Sequence, residues 1–239
     1  TPVRLYQEEM HSNLGFFATW LPGDHVEVGD IGLLEAGRFR RMACLSELHI
    51  AHDTIRGKSK QNVQYTSTEG TSISSSANVM DGLAAGEITI DFSRDGAFLF
   101  HATQLQPIEL ANRLSVCDEI LKVHDSGKWK KDWVVIESVY RAARATIIIS
   151  QESSSSIVLS AQLPGSITSI SLADPKASIS VKLTRGRLTH IISESNLHPL
   201  YSCLRVNTPF FGSAQMEPVR GDSEPISNHV FSRPSLDAL

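Results

Sequence analysis

Two stretches of this 239-residue chain, Gln61 to Phe100 and Trp133 to Leu188, alternate aliphatic with small polar side chains, and that alternation restricts the fold more than any other feature. In Glu87-Ile-Thr-Ile-Asp-Phe92 and Ala177-Ser-Ile-Ser-Val-Lys-Leu183 every second side chain is apolar. Successive side chains of an extended chain point to opposite faces, so each segment carries one oily and one wet face. Such a face either covers a protein core or meets lipid. A lipid-facing barrel strand needs only about 9 to 11 residues of this pattern, so the alternation by itself leaves both readings open.

Bulk properties narrow the field. With 41% hydrophobic residues the chain can bury a sizeable core, and its length suits one domain over 1–206 followed by a tail, 207–239, rich in Pro and Gly. No run of 18 apolar residues occurs, which removes a spanning helix, and the first residues lack the charged-then-apolar layout of a signal peptide. A net charge of -4 argues against a nucleic-acid partner, which would ask for a strongly basic face. Cys44, Cys117 and Cys203 are far apart and form no CxxC pair, so they read as buried free thiols in a reducing compartment.

The chain carries no Gly-x-Ser-x-Gly elbow, phosphate-binding loop, His-Glu-x-x-His or Gly-x-Gly-x-x-Gly, so no enzyme class, cofactor or metal is expected. His49 and His52 have helical i, i+3 spacing, but no nearby residue completes a tetrahedral zinc set. Arg220-Gly-Asp222 is too short a match to mean more than a turn.

Along the chain, Leu5 to Leu14 reads as a helix with Leu5, Met10 and Leu14 on its apolar side, stopped by Gly15. A strand at Phe16 to Leu21 ends in Pro22-Gly-Asp24, and Val26 to Leu34 with Arg38 to Cys44 reads as a hairpin, then one helical turn at Leu45 to Ile50. Gly86 to Phe100 holds two strand pieces about an Arg94-Asp-Gly96 turn, with a tip at Asn78 to Ala85. Pro107 marks a helix start, its apolar face Leu110, Leu114, Cys117 and Leu121, closed by Gly127. Trp133 to Ser150 reads as a strand pair or one bent strand. Ile157 to Leu163, Ile167 to Leu172 and Ala177 to Leu183 are further strands, parted by Pro164-Gly165 and Asp174-Pro175. Leu188 to Ser193 and Leu200 to Val206 return to the core.

Two basic clusters stand out: Arg38, Arg40 and Arg41 in the first hairpin, and Lys128, Lys130 and Lys131 beside Trp129 and Trp133. Each is either a solvated strand edge or a patch for anionic lipid, where a Lys or Arg gains about 1 kcal/mol.

In their order, the short N-terminal helix, Val26-Glu-Val-Gly-Asp-Ile31 leading into Gly37-Arg-Phe-Arg-Arg-Met42, a Ser/Thr-rich hairpin region, one helix, and Asp132-Trp-Val-Val-Ile-Glu-Ser-Val139 opening a second hairpin region, the chain resembles the gasdermins, above all the compact bacterial ones, over about residues 3 to 206. The resemblance implies an α+β fold with a twisted, mainly antiparallel central sheet and a few packed helices. It further implies a cytoplasmic monomer at rest that, once a protease removes its C-terminal segment, oligomerises at membranes, anionic lipid above all, and inserts two β-hairpins per subunit to kill the cell, as in antiphage defence. On that reading Ile88, Ile90, Phe92, Ile147, Ile149, Ile179, Val181 and Leu183 face lipid, the six basic residues meet lipid headgroups, and the activating cut falls near Arg205 or Arg220. Charges in the hairpin regions, Arg144, Glu152 and Asp174, must then sit at tips or face a lumen. The competing reading is a protein-interaction or ligand-binding module whose Ser/Thr strands are solvated sheet.

Overall fold

A computed structural model describes residues 1–19, 25–35, 38–80, 83–164, 178–195 and 197–219. Helix α1 (Pro2–Leu14) leads into β1 (Phe17–Ala18). Strands β2 (Asp30–Glu35) and β3 (Arg38–Cys44) form a hairpin, and a 3-10 turn, Leu45–Leu48, precedes β4 (Thr54–Arg56). Then come β5 (Gln61–Thr66), β6 (Thr71–Met80), β7 (Leu83–Phe92), the long β8 (Phe98–Leu110) and helix α2 (Arg113–Asp125). The remainder is β9 (Val134–Arg141), β10 (Arg144–Ser150), β11 (Ser155–Pro164), β12 (Ser178–Arg185), β13 (Leu188–Ser195), β14 (Leu200–Asn207) and β15 (Gln215–Pro218). The fold is α+β and every strand pairing described is antiparallel.

The strands divide into an 11-stranded sheet and a separate 4-stranded one. Strand β8 organises the larger sheet: its first half pairs with β10 and β5, its second half with β9 and β4. The change of partner falls at Gln104, which has φ 50 and donates its N–H to Asn62 Oδ1 at 2.9 Å. One face of this sheet is covered by α1, whose Tyr6 and Met10 pack with Phe98, Phe100, Ala102, Ile147 and Ile149. The far end is closed by α2, through Val116 and Ile120 packed on Ile31, Val135 and Leu204. At Gly32, where β2 pairs with both β3 and β9, a Cβ would lie 2.1 Å from the Arg40 carbonyl, so only glycine lets the strands approach this closely.

Several sequence expectations are corrected here. Pro107 opens no helix: it lies inside β8, opposite Tyr140, and α2 begins after Asn112. Its fixed φ suits extended chain as well as a first helical turn, so proline alone does not choose between them. The helix consequently buries Val116 and Ile120, while Leu114 is 82% exposed. In α1 the buried side chains are Tyr6, Gln7 and Met10, and Leu5 is half exposed. Arg94-Asp-Gly96 joins no hairpin, because β7 and β8 belong to different sheets. Trp133 to Ser150 is two strands, β9 and β10, with β8 inserted between them. Cys203 is buried, but Cys44 and Cys117 are only half-buried; all three are free thiols. Strand β3, the turn after it and the strands β13 and β14 lie where the sequence put them, while β2 begins at Asp30 and not at the expected Val26. Trp20 through Asp24, Ile167 to Leu172, Asp174 and the Arg220-Gly-Asp222 turn lie outside the described residues.

His101, on the face of β8 opposite Phe100, is 2% exposed and its Nε2 has no hydrogen-bond partner among the described residues. Burial, aided by the Arg144 charge, pushes its pKa down to about 4. The unfolded chain therefore takes up a proton that the folded chain refuses, and stability is full above about pH 6.5 and falls as pH drops toward 4. The expected loss over that window is roughly 3 kcal/mol. Urea midpoints at pH 7 and pH 5 check it: His101→Leu should flatten the slope, and an unchanged slope would remove His101 as its source.

Candidate functional site

The smaller sheet is built from two hairpins, β6–β7 and β11–β12, laid side by side in the order β12-β11-β7-β6. Strands β6, β7 and β11 are each 10 residues long and β12 is 8. Because directly opposed residues share a face, the register sorts the side chains. Ile73, Ile90 and Ile157 line up across β6, β7 and β11, and Ile88, Leu159 and Val181 across β7, β11 and β12. Phe92, Ala161 and Ile179 extend this apolar face. The other face carries Ser72, Ser74, Ser76, Glu87, Thr89, Asp91, Ser156, Ser160 and Ser180, with Lys182 paired to Glu87 across the ribbon. The result is an amphipathic ribbon of two antiparallel strand pairs.

Its apolar face is buried against the body. Ile88, Ile90, Phe92, Ile157, Leu159 and Ala161 are at most 2% exposed and form one cluster with Leu99 and Ile148 of the larger sheet and with Ala97 just before β8. Toward the ribbon's edge strands the cover ends, leaving Ile73 39% and Val181 40% exposed. The roots of the ribbon are fixed by polar contacts: Thr71 donates to the Phe98 carbonyl at 3.1 Å, and Glu152 accepts from Arg187 N and Nε at 3.0 and 2.9 Å. These bonds hold the Glu152 carboxyl below its usual range and tie the turn before β11 to the turn after β12.

The proposed lipid-facing residues thus fall into three groups. Ile88, Ile90, Phe92, Ile179 and Val181 come together on the apolar face. Leu183 does not, because a bulge between Val158 and Leu159 sets it opposite Val158, off the apolar row. Ile147 and Ile149 lie in β10 of the larger sheet, in the cluster under α1, and belong to neither hairpin. The sequence does not single out Ile73, Ile157 and Leu159: in Ile157-Val-Leu159-Ser-Ala161 the apolar Val158 interrupts the alternation that marks the neighbouring segments. Of the charges in question, Glu152 sits at the ribbon's root and Arg144 in β10.

The basic residues converge at the opposite end of β8 and β9. Gly32 pairs with Val134 and Arg205 with Val134, so the end of β2, the start of β3, the turn before β9 and the turn after β14 all lie there. Arg40 is bound to Glu35 at 2.8 Å and Arg41 to Asp30 at 2.6 Å, and Arg38 lies exposed on the same strand. Lys128, Lys130 and Lys131 are exposed, while Trp129 is 4% exposed and packs edge-on to Trp133 at 5.5 Å, as core. Arg205 lies within β14, flanked by β9 and β15 and bonded to Glu217 at 2.9 Å. A peptide bond in the middle of a sheet reaches a protease cleft only after the ladder opens; Arg220 lies outside the described residues.

Among the described residues no group of three His, Cys, Asp or Glu could hold a metal ion, and no helix is long and apolar enough to cross a membrane, which says nothing of strands. No protein-family model matches the chain, and no curated protein matches it by sequence. Among solved structures the chain is similar to one described as the cryo-EM structure of the gasdermin A3 membrane pore. That match has 10% identity over 92% of this chain and 95% of that one, with a TM-score of 0.39.

Proposed function

We propose that this chain is a pore-forming protein whose two hairpins leave the body and line a membrane barrel. The observation that carries the reading is the ribbon: two hairpins from distant parts of the sequence, paired with each other, apolar on one face and Ser/Thr/Glu-rich on the other. A strand of 10 residues is roughly 33 Å long and, tilted by about 45°, spans about the 25 Å apolar band of a membrane barrel. The exposed apolar face would meet lipid and the hydroxyl-rich face water.

Strand direction supports assembly. Four alternating strands make β12 and β6 run opposite ways, and neither edge is paired beyond the ribbon among the described residues. The free β6 edge of one copy therefore accepts β12 of the next without breaking the antiparallel alternation, so identical copies close a ring and leave no unpaired backbone in lipid. In the resting chain the same apolar face is held on Leu99 and Ile148, so activation is the transfer of that face from protein to lipid. Removal of the C-terminal segment by a protease is the trigger in this reading. Strand β15 is part of the body, so the segment after Val219 is the natural piece to lose.

Dye release from vesicles tests the reading directly. Chain ending at Val219 should empty vesicles containing anionic lipid, and intact chain should empty them far more slowly. No release from either form, under conditions where both remain folded, overturns the proposal in favour of an interaction module.

A further inference from the structure

The turn between β14 and β15 carries Phe210 and Phe211, 93% and 86% exposed, their rings in edge contact at 4.8 Å. Two adjacent aromatic rings held almost wholly in water stand out, since every other Phe, Tyr and Trp among the described residues is buried or half-buried. The turn is not loosely attached. Its flanks, Val206 and Ala214, pack into the cluster that holds Trp129 and Trp133. The lysine turn before β9 stands on the same two tryptophans, so the rings and Lys128, Lys130 and Lys131 share one end of the body. None of the three lysines has an ion pair among the described residues, whereas Arg40 and Arg41 of β3 are each bonded to a carboxylate. Asp132 offsets one of the three charges and leaves the turn net positive.

We infer that the Phe210–Phe211 turn and the lysine turn form a docking site by which the intact chain binds reversibly to anionic phospholipid surfaces, before any hairpin moves. Rings this exposed can enter a headgroup layer, where aromatic side chains reside. The three lysines match the negative charge of the lipid heads over the same patch. The site lies apart from the ribbon and adds to the pore reading an encounter step with its own residues, which stands or falls separately from it.

Co-sedimentation of intact chain with vesicles of phosphatidylcholine and phosphatidylglycerol, beside vesicles of phosphatidylcholine alone, reads the docking step. Binding is expected only with the anionic lipid. It should weaken in high salt, fall at least tenfold in Phe210→Ser/Phe211→Ser, and fall by about fivefold for each of Lys128, Lys130 and Lys131 changed to Gln. Amide exchange of the unsubstituted chain on vesicles gives a reading that needs no variant: protection should gather at 126–133 and 207–214. Absence of binding, equal binding by the double serine variant, or protection elsewhere overturns the inference. So does a change of oligomeric state in that variant without loss of vesicle binding, since the rings would then meet a second copy. Dye release by chain ending at Val219 on the same vesicles separates the two ideas: leakage without docking of the intact chain removes only the docking site, and docking without leakage removes only the pore.

Discussion

Val181→Arg is expected to abolish dye release while leaving the resting chain folded. Val181 lies on the apolar face opposite Leu159, the fifth residue of β11, close to mid-depth of a ten-residue strand. At rest it is 40% exposed, so an arginine there can reach water and the change in stability should stay within about 1 kcal/mol. In a barrel the same side chain faces the bilayer centre, where arginine costs about 2–4 kcal/mol, repeated in every subunit of the ring. Ile73→Arg, nearer the root, should impair release less, because the penalty falls toward the interface. Release by Val181→Arg at the wild-type rate would mean that this face never meets lipid. Ile90 is the wrong probe for the purpose: it is fully buried at rest, so Ile90→Asp would disrupt the folded chain before any membrane is present.

Leu99→Ala and Ile148→Ala should act in the other direction and raise release by the intact chain. Both side chains are fully buried, and both pack on the ribbon's apolar face from the body side. Truncating either should lower stability by about 2–5 kcal/mol, and the melting temperature by roughly 5–15 °C for a chain of this size. The loss falls on the packed state and not on the inserted one, so the free-energy gap that keeps the hairpins home narrows. Phe100→Ala supplies the control, since Phe100 is equally buried on the same strand but faces Tyr6 and Met10 under α1. It should destabilise to a similar degree without raising release. Equal release by Leu99→Ala and Phe100→Ala would point to general unfolding and remove the packed interface as the restraint.

Much of the ribbon can be read from the residues alone. Strict alternation in Glu87 to Phe92 and in Ala177 to Leu183 is a local property, fixed by the period of an extended chain. The extent of the two regions is less legible. Gln61 to Thr66, Phe98 to Leu110, Val134 to Arg141 and Arg144 to Ser150 are also rich in strand-forming residues, though Val134-Val-Ile136 and Ile147-Ile-Ile149 run apolar without alternating, and they build the larger sheet. That is why Ile147 and Ile149 look like ribbon residues and lie outside it. Leu183 illustrates the same limit at finer scale, because one bulge reverses the facing of every residue beyond it and leaves no mark in the pattern. The helix assigned to Pro107 failed for a related reason: 3.6-residue spacing across Leu110 and Leu114 spans a strand end and a helix start.

Local chemistry therefore settles which segments are amphipathic, that the protein is a sheet with few helices, where the first hairpin turns, and that basic and aromatic residues flank the second region. It does not settle partnership. That Ile90 lies beside Ile157, that the two hairpins form one ribbon, that its oily face rests on Leu99 and Ile148, and that the Lys128 turn shares an end with Phe210 all depend on pairings between residues far apart in the chain. An oily strand face has the same sequence whether protein or lipid covers it, since both are apolar surroundings of similar worth, and only the packing of distant strands determines which one it meets.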